Sequence, residues 1–179
     1  VGNTLYIADD SGGTDTIVKA TVPSGISITT NPLALAANGT TTLYILVDGT
    51  PNDVILTVSI TSTALTTQFD APDDKGEGLT YLGGSLYYAS HKDSVQKIYV
   101  LNPSTGVQTS SFQPQNDMGY DMGENILGLA YDGTDLIITS NNQWDSCFDK
   151  IDTSGDHENR LCPNWEDGLS QATGAAVSP

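Results

Sequence analysis

One arrangement of apolar and turn residues recurs along this chain, and it restricts the possible folds more than any other feature. Gly78-Leu79-Thr80-Tyr81 runs through a Gly-containing turn into Leu86-Tyr87-Tyr88. Gly128-Leu129-Ala130-Tyr131 leads in the same way to Leu136-Ile137-Ile138, and Ala34-Leu35-Ala36-Ala37 to Leu43-Tyr44-Ile45. A third apolar segment begins 11 or 12 residues after each second-segment leucine (Leu5, Leu43, Leu86, Leu136), at Ile17, Val54, Ile98 and Phe148. A fourth ends near Ile28, Phe69, Phe112 and Leu161, and a proline follows each within two to four residues, at Pro32, Pro72, Pro114 and Pro163. A unit used repeatedly at a near-constant period means neighbouring copies that bury one another's faces.

The segments are short, rich in β-branched and aromatic residues, and separated by Gly, Asn, Asp and Pro, so each unit reads as a four-stranded antiparallel meander. No stretch keeps an apolar 3.6-residue period, which argues against helix. Successive second-strand leucines are 38, 43 and 50 residues apart, close to the ~40–50 residues of a propeller blade. The expected fold is therefore all-β: a β-propeller of four four-stranded antiparallel blades in one domain, 1–179. The blades span about 1–32, 33–75, 76–125 and 126–167. A β-sandwich explains alternating strands but not a four-strand unit that returns with its turn chemistry. Gly174-Ala175-Ala176-Val177-Ser178-Pro179 reads as a first strand without its continuation, and Val1-Gly2-Asn3-Thr4-Leu5-Tyr6-Ile7 as a turn and second strand without a first. Either 168–179 completes the first blade and closes a ring of four, removing exposed edges, or the chain belongs to a larger ring or array. The start at Val1, without Met, reads as a mature, trimmed or excerpted chain.

The stretch from Gly76-Glu77-Gly78-Leu79-Thr80-Tyr81 to Asn102-Pro103-Ser104-Thr105-Gly106 resembles a blade of YncE-like and NHL-like bacterial and archaeal propellers. So does the stretch from Gly128-Leu129-Ala130-Tyr131-Asp132-Gly133-Thr134-Asp135-Leu136 to Ile151-Asp152-Thr153-Ser154-Gly155. These motifs are turn and core positions, so the resemblance implies a fold. Such propellers include surface-layer proteins, binding modules and a few enzymes, and a function does not transfer with the fold.

Six Lys plus Arg stand against 22 Asp plus Glu, for a formal charge of −16. That balance argues against nucleic acid and against an anionic membrane surface as partners. No apolar run approaches the ~20 residues of a membrane helix. Cys147 and Cys162 flank a hairpin turn at Thr153-Ser154-Gly155-Asp156, with their midpoint inside it. The two would face each other across antiparallel strands, and the disulfide this predicts points to an oxidising, extracellular compartment.

The blade plan sends second-to-third-strand loops and blade-to-blade loops to one face. Asp9, Asp10, Asp15, Asp48, Asp53, Asp93 and Asp145 fall in the first kind; Asp70, Asp73, Asp74, Glu77, Asp117, Asp121, Glu124, Glu166 and Asp167 fall in the second. One strongly negative face is expected, accompanied by Lys75 and Lys92. Crowded carboxylates repel unless a cation or basic partner neutralises them, and Ca²⁺ takes roughly 6–8 oxygens. Candidate calcium ligands are Asp73, Asp74 and Glu77, and Asp117, Asp121 and Glu124. Set against this is an acidic surface that serves solubility alone. Trp144 and Trp165 lie in loops of the same face beside Asp145 and Glu166, where an indole can stack on a sugar; the plainer reading folds each over a blade edge.

No catalytic constellation stands out. His91 is placed in a loop of the acidic face and His157 in a turn on the opposite one, and no serine sits in a nucleophile elbow. The function expected is a non-catalytic extracellular module for adhesion, surface-layer or filament assembly, with protein self-assembly or a surface partner. A calcium- or carbohydrate-binding recognition domain and a lactonase-like propeller hydrolase are the alternatives.

Overall fold

The computed structural model describes residues 6–9, 15–19, 26–28, 30–38, 41–59, 65–92, 95–115, 125–141 and 146–162. These form four antiparallel sheets, each a meander in chain order. The first has three strands, β1 (Tyr6–Asp9), β2 (Asp15–Lys19) and β3 (Ile26–Ile28). The second contains β4 (Pro32–Ala37), β5 (Thr42–Val47), β6 (Val54–Ser59) and β7 (Leu65–Asp70). The third contains β8 (Gly76–Leu82), β9 (Ser85–Ser90), β10 (Lys97–Leu101) and β11 (Gln108–Phe112). The fourth contains β12 (Asn125–Tyr131), β13 (Leu136–Asn141), β14 (Ser146–Ile151) and β15 (His157–Leu161). The last strands of the four sheets, β3, β7, β11 and β15, end within a residue of Ile28, Phe69, Phe112 and Leu161.

Burial follows strand position within the three four-stranded sheets. β5 is apolar after Thr42, and Leu43 to Val47 are all buried, because the sheet is covered on both faces. Alternation decides which neighbour each side chain meets. In β9, Leu86 and Tyr88 join Tyr44, Leu46, Ile55 and Leu79 between the second and third sheets. Tyr87 and Ala89 point the other way, to Ile126, Leu129, Leu136 and Ile138 between the third and fourth. The fourth strands are the opposite case: β7, with Thr66, Thr67 and Gln68, is almost wholly exposed. First strands are innermost, and β8 packs between β4 and β12. Sheets that share faces through their first strands and turn polar at their last are the blades of a propeller.

Each four-stranded blade carries a β-bulge at the same place in its first strand, between Pro32 and Ala34, Gly76 and Gly78, and Ile126 and Gly128. Gly78 permits a close approach of β8 and β12, since a Cβ there would lie 2.6 Å from the Leu129 amide nitrogen and 2.7 Å from its Cβ. Side-chain carbonyls fold the turns. Asn102 Oδ1 accepts from the Ser104 amide at 2.9 Å, and Asp152 Oδ1 accepts from the Ser154 amide at 2.8 Å. These Asx turns lead into Gly106 (φ +71°) and Gly155 (φ +99°), in the left-handed region that favours glycine.

The Cys147–Cys162 disulfide is present, with Cα atoms 4.2 Å apart, one position beyond the paired Phe148 and Leu161. His157 corrects an expectation. It is the first residue of β15 rather than part of the turn, because a register shift at Lys150/Ile151 starts the strand there. Its Nε2 stands 3.7 Å from the buried Asp149 carboxylate.

Candidate functional site

Among the described residues the densest polar cluster sits at the end of the second and third blades, where the 71–76 connection crosses between them. Its centre is Tyr88, fully buried in β9. Its hydroxyl lies 2.8 Å from Asp73 Oδ1 and 3.3 Å from Asp53 Oδ2. Ser90 Oγ donates to Asp73 as well, at 2.9 Å. Asp53 Oδ2 accepts from the Gly76 amide at 2.8 Å, tying the entry of β6 to the first strand of the next blade. Asp53 and Asp73 are only 1 % and 2 % exposed.

Asp53 and Asp73 therefore do not contribute solvated charge to the acidic face. Both carboxylates are used inside the joint between blades. A backbone connection in the same place holds them there: the Asp53 amide donates to the Asp73 carbonyl at 2.9 Å, and the Ala71 amide to the Asp53 carbonyl at 2.7 Å. The next joint repeats the device with an amide. Gln96, buried at the entry of β10, accepts from the Ile126 amide through Oε1 at 3.0 Å. Ile126 pairs with Ser140 as Gly76 pairs with Ser90, so the two latches are equivalent.

Around this centre the outer charges pair off. Asp74 meets Lys92 Nζ at 3.0 Å, and that contact draws its carboxyl below the ordinary range. Glu77, the residue at the bulge, faces His91 Nδ1 at 3.2 Å. Burial holds the Glu77 carboxyl above its ordinary range although His91 pulls it down. Asp73, Asp74 and Glu77 thus turn to three different sets of partners. Among the described residues no group of three or more His, Cys, Asp or Glu side chains is placed to hold a metal ion. Asp117, Asp121 and Glu124 lie outside the described residues, as do Trp144 and Trp165. A cleft of about 240 Å³ opens beside the cluster, lined by Ser90, Lys92, Val95, Lys97 and Tyr99. It is smaller than the ~300–1,000 Å³ of ordinary ligand pockets. The Ser90 hydroxyl in its lining is already engaged by the Asp73 carboxylate. Tyr88, Gln96 and Asp149 escaped the sequence reading. The available signal was a polar residue directly ahead of a third strand, at Asp53 and Gln96.

Burial raises the Asp53 carboxyl above its ordinary range, against the pull of the Gly76 amide. Asp53 therefore binds its proton more tightly in the folded chain than in the unfolded one. Its contribution to stability is greatest below the unfolded value of 3.8 and is lost as pH climbs through the higher folded value. Asp53→Asn keeps an acceptor for Gly76 and removes the charge, as Gln96 does one blade on. It should raise the melting temperature at pH 7 by about 2–4 °C, the effect of roughly 1 kcal/mol in a chain of this size. Near pH 3 the two proteins should melt together. A variant that melts lower than the parent at pH 7 would show that Asp53 acts as a stabilising anion.

No protein-family model matches the chain, and no curated protein matches it in sequence. Solved structures do match it in shape. The Myxococcus xanthus glutaminyl cyclase superposes with a TM-score of 0.72 at 17 % identity, over 97 % of this chain and 76 % of that one. The WD40 repeats of RRP9 give 0.59 at 14 % identity over 90 % of this chain, and a chain of the mitotic checkpoint complex gives 0.61 at 14 % over 89 %. This chain spans about half the length of those last two, 47 % and 48 %. An enzyme and WD40 proteins share little sequence with this chain, so the likeness is one of architecture. What these matches establish is the fold, a β-propeller.

Proposed function

We propose that this chain is a non-catalytic extracellular propeller module that works by assembly, through the rims of its blades. The observation that carries the reading is the character of the last strands. β7, β11 and β15 stand at the ends of their sheets, and β7 and β11 are lined by exposed Thr, Ser and Gln. Edge strands of this kind can add a strand from a partner through main-chain hydrogen bonds. The ionisable groups of the described cluster support the same view, since they join blades and form salt bridges. The disulfide agrees with an oxidising compartment.

Light scattering over a concentration series should show mass rising beyond the monomer's 18.9 kDa. Panels of lactones, glycosides and peptides with N-terminal glutamine should show no turnover above the buffer rate. Saturable turnover of any of these, lost on substitution of Glu77 or His91, would replace this reading with an enzymatic one.

A further inference from the structure

Tyr88 carries one hydroxyl proton and stands within reach of three acceptors on two buried residues. Its oxygen is 2.8 Å from Asp73 Oδ1, 3.2 Å from the Asp73 carbonyl and 3.3 Å from Asp53 Oδ2. The remaining donors fall unequally on the two carboxylates. Asp73 also receives the Ser90 hydroxyl at 2.9 Å and the Lys75 amide at 3.0 Å, and the Tyr99 hydroxyl faces it as well. Asp53 Oδ2 receives the Gly76 amide at 2.8 Å. The Gly49 amide lies nearby, but Asp53 Oδ1 is buried without a formed hydrogen bond. A carboxylate surrounded by donors is stable as an anion, whereas one with a bare oxygen away from water is not. The Tyr88 proton therefore belongs to Asp73, at the shorter distance, and a lone pair of the Tyr88 oxygen is left facing Asp53. A proton on Asp53 Oδ2 turns that contact from a repulsion into a hydrogen bond.

We infer that Asp53 is the acid end of a proton chain that latches the second blade to the third and releases as pH rises. Asp53 donates to the Tyr88 oxygen, and Tyr88 donates to the Asp73 carboxylate, so the pair carries one negative charge rather than two. Among the described residues no cation forms an ion pair with either carboxylate: Lys92 meets Asp74, His91 meets Glu77, and Lys75 gives Asp73 its amide. Nor do Asp73, Asp74 and Glu77 converge on a metal position. Asp48, ahead of β6, and Glu77, in β8, both add negative charge near Asp53. Like charges at short range favour the protonated form of one member. The folded chain therefore holds the Asp53 proton to higher pH than the unfolded chain does. The latch is set in acid and weakens as pH climbs through the folded value, when a second charge is left buried beside Asp73. Gln96 takes the equivalent place in the next joint, and its amide has no such proton to lose.

Amide hydrogen exchange reads the latch at Asp53, Ala71 and Gly76, whose N–H groups bond across the joint. Corrected for the intrinsic exchange rate, their protection should fall about fivefold between about pH 4 and about pH 8. In Asp53→Asn, which keeps an acceptor for Gly76, that fall should vanish. Carbon-13 resonances of the unmodified chain give a second reading that does not depend on the variant folding. The Asp53 carboxyl carbon should titrate above 3.8, and the Tyr88 ring carbon that bears the hydroxyl should move in the same step, because its oxygen loses a donor. A fall in protection that survives Asp53→Asn would assign the titration to Glu77 or His91 and overturn the inference. An Asp53 resonance that titrates at or below 3.8 would overturn it too. So would a Tyr88 carbon that stays still while Asp53 titrates, since the two would then share no proton chain.

Discussion

Gly78→Val is expected to lower the melting temperature by roughly 6–12 °C, corresponding to about 3 kcal/mol for overpacking a site that cannot yield. The reason is backbone. The new Cβ would stand 2.6 Å from the Leu129 amide nitrogen and 2.7 Å from Leu129 Cβ. Neither atom can swing aside as the end of a long side chain can. Relief would require β8 and β12 to separate, and that would open the shared core of Tyr87, Ile126, Leu129, Leu136 and Ile138. Gly83→Ala makes the contrast. Gly83 has φ +57° with nothing within 4 Å of a Cβ, so only the backbone conformation resists, at a cost of about 1–2 kcal/mol. Thermal melts of the two variants beside the parent decide the matter. If Gly78→Val melts within a degree or two of the parent, the third and fourth sheets do not share a face and the propeller assignment fails at that joint.

Loss of the disulfide should be nearly as costly. Cys147 and Cys162 close a loop of sequence separation 15. Removing such a link releases about 3 kcal/mol of chain entropy to the unfolded state, on the usual loop-closure account. A Cys147→Ser, Cys162→Ser double variant should melt about 6–12 °C lower than the parent. The effect should also be local. β15 lies at the edge of its sheet and its outward residues are largely exposed, so it is held chiefly by the β14 ladder, the contacts of His157 and Arg160 with Asp149, and the disulfide. Hydrogen exchange should quicken first at Glu158 to Leu161, with the amides of β9 unchanged. Identical melting with and without reductant would mean that β15 is held by its pairing with β14 alone.

Much of the architecture was legible because it rests on neighbours in sequence. Apolar runs such as Leu43-Tyr44-Ile45-Leu46-Val47 announce a strand covered on both faces, and Asn102, Gly106, Asp152 and Gly155 announce turns through their own backbone chemistry. The Cys147–Cys162 pairing was legible for a like reason, since antiparallel pairing about a known turn sets which residues face each other. The polar cluster was not. Asp53 and Asp73 read locally as loop acids on a charged surface, and nothing within a few residues of either says otherwise. His157 was misplaced for a smaller reason, a bulge that moves the strand boundary into what reads as turn.

By itself the sequence determined the repeat, the strand and turn chemistry, the disulfide and the excess of negative charge, since each depends on spacing and composition along a short stretch of chain. Only tertiary structure decided what the carboxylates do. Tyr88 is 35 residues from Asp53 and 15 from Asp73, yet packing of one blade on the next brings its hydroxyl between them. Burial and hydrogen-bond partners are properties of that packing, and so the same residue type becomes a surface charge at Asp70 and an internal latch at Asp53.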